Sequence, residues 1–398
     1  MNTNAKPKVG HAPTLLACFL HFDLSFMLWV LLGALGVFAA ESLGLSPAQK
    51  GLMVATPILG GSVMRVPIGL LSDRVGAKRT GMALLAFLFL PLGLGWLWAS
   101  SFSAVLAVGL MLGTAGASFA VALPLASRWY PPEKQGLAMG IAAAGNSGTV
   151  ISNLLAPKLA TLVGWHAVFA LAMIPLAVVL FAFSLLAREA PREPFVQDRL
   201  SVLRQKDLYW FCGFYSITFG GYVGLCSFLP LFFRDQYGVS PLTAGHLTAL
   251  AAFAGSLFRP VGGYLADRIG GGLLLMMVLV GAGAVYGVAA WLPEQSTMVA
   301  LLVVGMVCLG MGNGAVFQMV PQRFARRIGA ATGIIGAVGG LGGFFLPTML
   351  GAVKQRTGSF SAGLMILGVG AICAAAALGV YAASSSARSA TGARDEVA

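Results

Sequence analysis

Charge is what this sequence has least of. Only 10% of its 398 residues are charged, and Asp and Glu together number 13. The apolar fraction is 58% and the mean hydropathy +0.86. No soluble globular domain needs that much apolar surface, so the bilayer is the implied solvent. Cysteine is scarce too. Cys18, Cys212, Cys226, Cys308 and Cys373 all fall in apolar runs without metal-ligand spacing, so they read as small core residues rather than a disulfide framework. No nucleophile–base constellation, metal-ligand cluster or phosphate-cradling loop stands out, and neither an enzyme nor a cofactor or metal is expected. The polar leader MNTNAKPKVGHAPT precedes a long first run without a small-residue cleavage site, so no cleaved signal peptide is expected.

Long apolar runs, by contrast, recur throughout. They lie near 13–38, 47–71, 80–99, 102–129, 135–163, 165–187, 207–232, 241–267, 271–293, 297–322, 328–352 and 359–383. Each is long enough to cross a hydrocarbon core of about 30 Å. The predicted fold is an all-α integral membrane protein of twelve transmembrane helices. The net charge of +12 is unevenly placed. With both termini on one side, that side holds Lys6, Lys8, Arg74, Lys78, Arg79, Arg128 and Lys134. It also holds Arg188, Arg192, Arg199, Arg204, Lys206, Arg268, Arg323, Arg326 and Arg327. The other side has only Lys50, Lys158, Arg234, Lys354 and Arg356. By the positive-inside rule the termini are cytoplasmic, in a bacterial-type inner membrane. The basicity is topology, and no nucleic-acid partner is expected.

The polar segment AREAPREPFVQDRLSVLRQKD (187–207) separates six runs from six. The division expected is 1–187, a cytoplasmic linker over 188–206, and 207–398 with a polar tail from about 384. An offset of 194 residues superposes Arg65 on Arg259, Gly69 on Gly263 and Leu71 on Leu265. The same offset superposes Asp73 on Asp267, Arg74 on Arg268 and Gly76 on Gly270. Six identities within twelve positions indicate an internal duplication, and parallel six-helix repeats describe one major transporter architecture. GLLSDRVGAKR (69–79) is similar to the signature loop of the major facilitator superfamily, and GYLADRIGG (263–271) is its degenerate copy. The resemblance covers essentially the whole chain. It implies that Gly69, Asp73, Arg74, Gly263, Asp267 and Arg268 latch one conformation of an alternating-access cycle. Physically, Gly69 would let helices approach, and Asp73 would cap a neighbouring helix and pair with basic residues.

Depth filters the site, because substrates in such transporters bind near the midplane between the halves. Arg65 and Arg259 each lie eight residues before the Asp of their repeat, about 12 Å into the membrane. Asn146 lies roughly 16 Å from Gln135 and Asn313 about 15 Å from Arg323. Tyr215 and Phe219 fall roughly 12–18 Å from Asp207, and Phe119 about 14 Å from Arg128. Asp23 is the one carboxylate inside any predicted span. A cavity with two arginines against one acid is net positive and attracts an anion. Planar guanidinium forks suit small planar oxyanions, and the lack of further cations favours a single negative charge. The alternatives are arginines buried against helix carbonyls or Asp23, asparagines as interhelical glue, and aromatics as packing.

Paired arginines in helices 2 and 8, with Gly- and Asn-rich helices 5 and 11, resemble the nitrate/nitrite porter family. The matching stretches are GLAMGIAAAGNSGTVISNLLAP (136–157) and TGIIGAVGGLGGFFLPTMLG (332–351). The resemblance implies that Arg65 and Arg259 grip the anion, that Asn146 donates to it, and that Phe119, Tyr215 and Phe219 form an aromatic cage. Gly336, Gly339 and Gly340 would let helix 11 slide or bend. Nitrate uptake in symport with protons is expected, with Asp23 as proton carrier; a permanent Asp23–Arg pair is the alternative role. Nitrate/nitrite exchange, transport of another small monovalent anion, and a non-transporting anion sensor are the rival functions. The partners expected are the anion, protons and the lipid bilayer, and the protein is expected to be a monomer.

Overall fold

The computed structural model describes residues 10–189, 199–324 and 328–395, and every element within them is helical. The first crossing runs through α1 (Ala12–Trp29), α2 (Leu31–Ala34) and α3 (Gly36–Leu43). Next come α4 (Pro47–Val75) and α5 (Ala77–Leu97). The fourth crossing is α6 (Phe102–Leu112) and α7 (Phe119–Arg128), joined by the 3₁₀ segment Gly113–Ser118. The fifth is α8 (Pro132–Ala143) and α9 (Gly148–Val163), joined by the 3₁₀ turn Ala144–Ser147. Then follow α10 (Trp165–Leu186), α11 (Lys206–Tyr237) and α12 (Pro241–Ile269). The last four are α13 (Gly271–Ala289), α14 (Gln295–Arg323), α15 (Ile328–Thr357) and α16 (Ser361–Asp395).

Eleven helical stretches among the described residues are long and apolar enough to span a membrane. The fifth crossing is a twelfth made of two pieces of 12 and 16 residues, each too short alone. Hydropathy across 135–163 does not reveal the break, which falls at the small-residue run AAAGNSG. One boundary, that of the tail, differs from expectation. Of the linker, residues 190–198 lie outside the described residues, as do Lys6, Lys8, Arg192, Arg326 and Arg327, while Arg199–Arg204 forms a 3₁₀ turn. The expected tail at 384 instead continues α16 to Asp395, because Ala and Arg carry a helix on as readily as apolar residues do.

The repeat is legible in the caps. Ser46 and Ser240 accept from the backbone N–H of Gln49 and Thr243, opening α4 and α12 ahead of Pro47 and Pro241. Gly76 and Gly270 close those helices at φ 112° and 92°, where a Cβ is strained. α4 packs on α15, α11 on α15, and α12 on α14 and α9. Buried residues make up 89% of the apolar window of α11 but 28% of that of α10, so α11 is central and α10 faces lipid.

The two membrane faces differ. At one, Lys50 Nζ lies 2.8 Å from Asp235 and Arg234 Nε 2.8 Å from Glu41. There α4 and α15 touch along their backbones: a Cβ on Gly51 would strike the Pro347 carbonyl, and one on Gly351 the Pro47 carbonyl. Toward the other face the same helices separate. Gly329 and Gly333 have nothing within 4 Å of an added Cβ, and Gly69 only Ala120 at 3.5 Å. The molecule is shut at the Lys50 face, whereas toward the Asp73 face α4 and α15 leave open space at Gly329 and Gly333 among the described residues.

Candidate functional site

Arg65 sits mid-membrane on α4 and is 1% exposed. Its Nε donates to the Gly116 carbonyl at 3.1 Å, and its Nη1 donates to the Gly336 carbonyl of α15. Around it stand three rings, with centroids 4.9 Å (Phe119), 5.0 Å (Phe219) and 5.3 Å (Trp29) from the guanidinium carbon. A desolvated contact of this kind contributes on the order of 2 kcal/mol. Nη2 meets no protein acceptor. Arg259, at the matching place on α12, is partly exposed and lies 6.0 Å from the Phe317 ring. Its Nη1 also meets no acceptor. Each guanidinium lies within electrostatic reach of the other and of Tyr215.

The aromatic side chains form one connected wall. Tyr215 stacks on Phe219 at 4.9 Å and 1°. Phe317 meets Tyr215 edge-on at 4.8 Å and lies 5.8 Å from Phe119. Thus Arg65, Arg259, Phe119, Tyr215 and Phe219 are brought together across α4, α7, α11 and α12, with Phe317 of α14 between them. Gly336, Gly339 and Gly340 floor this wall from α15. A Cβ at Gly336 would press on Phe119 at 3.2 Å, at Gly339 it would strike the Tyr215 ring, and at Gly340 the Ser62 hydroxyl. The bulk of the rings is accommodated only because α15 presents bare backbone there.

The other expected residues bond neither arginine. Asn146 is buried in the 3₁₀ turn that packs on α1 and α12, and Asn313 is buried on α14. Neither has a protein partner for its Oδ1, and neither bonds an arginine. Asp23 pairs with neither arginine; its Oδ1 accepts from Ser147 Oγ at 2.6 Å. The cause is backbone proximity. Gly148 and Gly145 let α9 and its turn press against α1 around Asp23, so close that a Cβ on Gly148 would strike the Asp23 carbonyl. His21, two residues earlier, is buried against Ser118 Oγ at 2.7 Å and the Gly81 carbonyl at 3.3 Å, outside the aromatic wall.

The loop residues also differ in detail. Asp73 accepts from Arg128 Nη2 at 2.9 Å, joining α4 to α7. The N-terminus of α5 is capped by Glu189, which accepts from the N–H of Ala77 at 2.8 Å and Lys78 at 3.0 Å. Asp267 accepts from Gln318 at 2.9 Å, and Arg268 lies over Tyr264 at 4.6 Å, while Arg74 is exposed. Gly263, like Gly69, is not tightly packed. Sequence reasoning missed Trp29 and Phe317. Phe317 lies one turn from Asn313, so a depth filter applied to every aromatic would have found it; Trp29 carries no such signal.

Comparison with known proteins adds to this geometry. The family model of the Major Facilitator Superfamily matches residues 17–347. The "Nitrite extrusion protein" of Bacillus subtilis (strain 168) is 35% identical over 346 residues, covering 86% of this chain and 87% of its own. The "Probable nitrate/nitrite transporter NarK2" of Mycobacterium tuberculosis (strain ATCC 25618 / H37Rv) is 36% identical over 358 residues, covering 86% and 90%. The "Probable nitrate/nitrite antiporter NarK1" of Thermus thermophilus is 33% identical over 378 residues, covering 85% and 84%. Among solved structures, a bacterial homolog of the human lysosomal transporter Spinster superposes with TM-score 0.69 at 22% identity, covering 95% of this chain and 97% of that one. A chain with this helical bundle, this family match and these full-length relatives is a multi-pass membrane protein of the Major Facilitator Superfamily, and it belongs to the superfamily's nitrate/nitrite transporter family.

Proposed function

We propose that this chain carries nitrate, and nitrite, across the bacterial inner membrane by alternating access, with Arg65 and Arg259 as the anion clamp. One observation carries the reading. Two guanidinium groups share one aromatic wall, and among the described residues each keeps a donor without an acceptor and neither is bonded by a carboxylate. A small planar monoanion supplies what both donors need and fits between flat rings. The names of the relatives support the same substrate class. The helices before and after the 188–206 linker act as two halves, with both termini cytoplasmic. The Lys50 face is then the outer one, closed here. An anion binding both arginines draws the halves together, and transport follows from its different affinity for the two states.

For coupling, we propose proton symport with Asp23 as carrier. Asp23 is half-buried and bonds Ser147 in the turn that also holds Asn146, so its protonation state is tied to that turn's position. Nitrate/nitrite exchange is the second reading, favoured by the separation of Asp23 from both arginines. Nitrate uptake into proteoliposomes with an internal pH dye and no exchangeable anion separates them. Uptake with matching acidification supports symport; uptake only after nitrite is loaded inside supports exchange. No nitrate flux in either arrangement overturns the transport reading.

A further inference from the structure

One helical turn beyond the arginine layer, toward the Lys50 face, three hydroxyls meet. Tyr222 follows Phe219 by three residues on α11, Thr149 follows Asn146 by three on α9, and Ser256 precedes Arg259 by three on α12. The Tyr222 hydroxyl lies 2.6 Å from Ser256 Oγ and 3.1 Å from Thr149 Oγ1. Thr149 Oγ1 donates onward to the Asn146 carbonyl at 2.9 Å. The Tyr222 hydroxyl also lies 3.3 Å from the Ala252 carbonyl, so its one proton serves either Thr149 or Ala252, while Ser256 donates to Tyr222 and Thr149 to the turn of Asn146. A further turn out, the Cys226 thiol lies beside the Tyr222 and Thr149 hydroxyls, and the Cys226 carbonyl accepts from Asn153 Nδ2 at 3.4 Å. Tyr222 is 1% exposed, and Thr149, Cys226 and Asn153 are fully buried.

Thr149 and Asn153 precede the linker; Tyr222, Cys226 and Ser256 follow it. The Thr149–Tyr222 and Asn153–Cys226 bonds therefore join the two proposed halves directly above the proposed pocket, and Ser256 steadies Tyr222 from within its own half. Hydroxyls suit a contact that must part repeatedly. When separated in a water-filled vestibule they exchange protein bonds for water bonds at small net cost, whereas an apolar plug would expose apolar surface each time. We propose that Ser256, Tyr222 and Thr149 are the outer gate of the anion pathway, a hydroxyl chain that holds the halves together in the outward-closed state and parts before the pocket opens at the Lys50 face. This rests on the transport reading for the position of the pocket, but its test needs no anion.

Cys226 is a built-in reporter, because parting α9 from α11 uncovers it. In purified full-length protein, thiol alkylation is followed at the Cys226 peptide by mass spectrometry, with Cys18, fully buried on α1, as internal control. Tyr222→Phe keeps the ring and removes the links; Cys226 alkylation is expected to rise about five- to tenfold with Cys18 unchanged. Thr149→Val, which removes the partner hydroxyl of the link between the halves and keeps the branched shape, is expected to act in the same direction and decides alone should Tyr222→Phe not fold. An unchanged Cys226 rate overturns the gate. An equal rise at Cys18 also overturns it, since general loosening would then be the cause. Neither result touches the nitrate reading, which the flux assay tests separately.

Discussion

A buried guanidinium needs several partners at once, and Arg65 has them: two carbonyls and three ring faces. Arg259 has one ring and partial exposure. The two are therefore unequal. Arg65→Lys loses the fork that reaches Gly116 and Gly336 together, and each charged bond is worth about 1.5–3 kcal/mol. It is expected to cut nitrate transport at least about tenfold and to lower thermal stability as well. Arg259→Lys should cut transport comparably while leaving the melting temperature nearly unchanged, as flux and melting curves on the same preparations would show. Phe317→Ala is expected to weaken nitrate binding more than Phe317→Leu, because it opens the wall between the arginines; isothermal titration of both variants checks this. Much of this residue-level picture was legible in the sequence, since depth together with the family resemblance points to Arg65, Arg259, Phe119, Tyr215 and Phe219. Its limits are physical. Depth along a helix says nothing of azimuth, so Asp23 shared the layer on paper while its carboxylate bonds Ser147 rather than an arginine.

At the scale of elements, glycines decide which helices meet. Gly148 sets α9 against α1, and valine there would force the backbones apart around Asp23. Gly148→Val is expected to destabilise by roughly 1–3 kcal/mol and to lower yield, read by thermal unfolding in detergent. Gly69→Ala makes an instructive contrast. Its Cβ would meet Ala120 at an ordinary 3.5 Å, so stability should hold. If the Asp73 face closes during the cycle, however, that methyl comes between helices. The expected outcome is normal melting with slowed flux, and equal flux would remove Gly69 from the latch. The start signals of α4 and α12 were readable at Ser-Pro, and their ends at Gly76 and Gly270, because caps are local chemistry. The break at Ala144–Ser147 was not, since hydropathy averages over a window longer than one turn.

For the whole molecule, the Lys50 face is fastened by ion pairs across the proposed halves. Lys50–Asp235 is 19% exposed at each side chain, while Arg234–Glu41 is 37% and 50% exposed and contributes little. Lys50→Asp should favour outward opening by up to about fivefold, and adding Asp235→Lys should restore the balance. Cross-linking between cysteines placed on α4 and α15 at that face would report it. The twelve-crossing plan and the repeat were plain in the sequence because both are long-range regularities; the state of closure was not, because one sequence serves both states. The fourth crossing is interrupted by a 3₁₀ segment, and its Gly116 carbonyl holds Arg65. The counterweight to that buried cation is a peptide dipole, not a carboxylate. An arriving anion therefore has no resident counter-ion to displace, and the chief opposing cost is stripping its own water. Such a site ranks anions by ease of dehydration, favouring weakly hydrated ions over compact, strongly hydrated ones of the same charge.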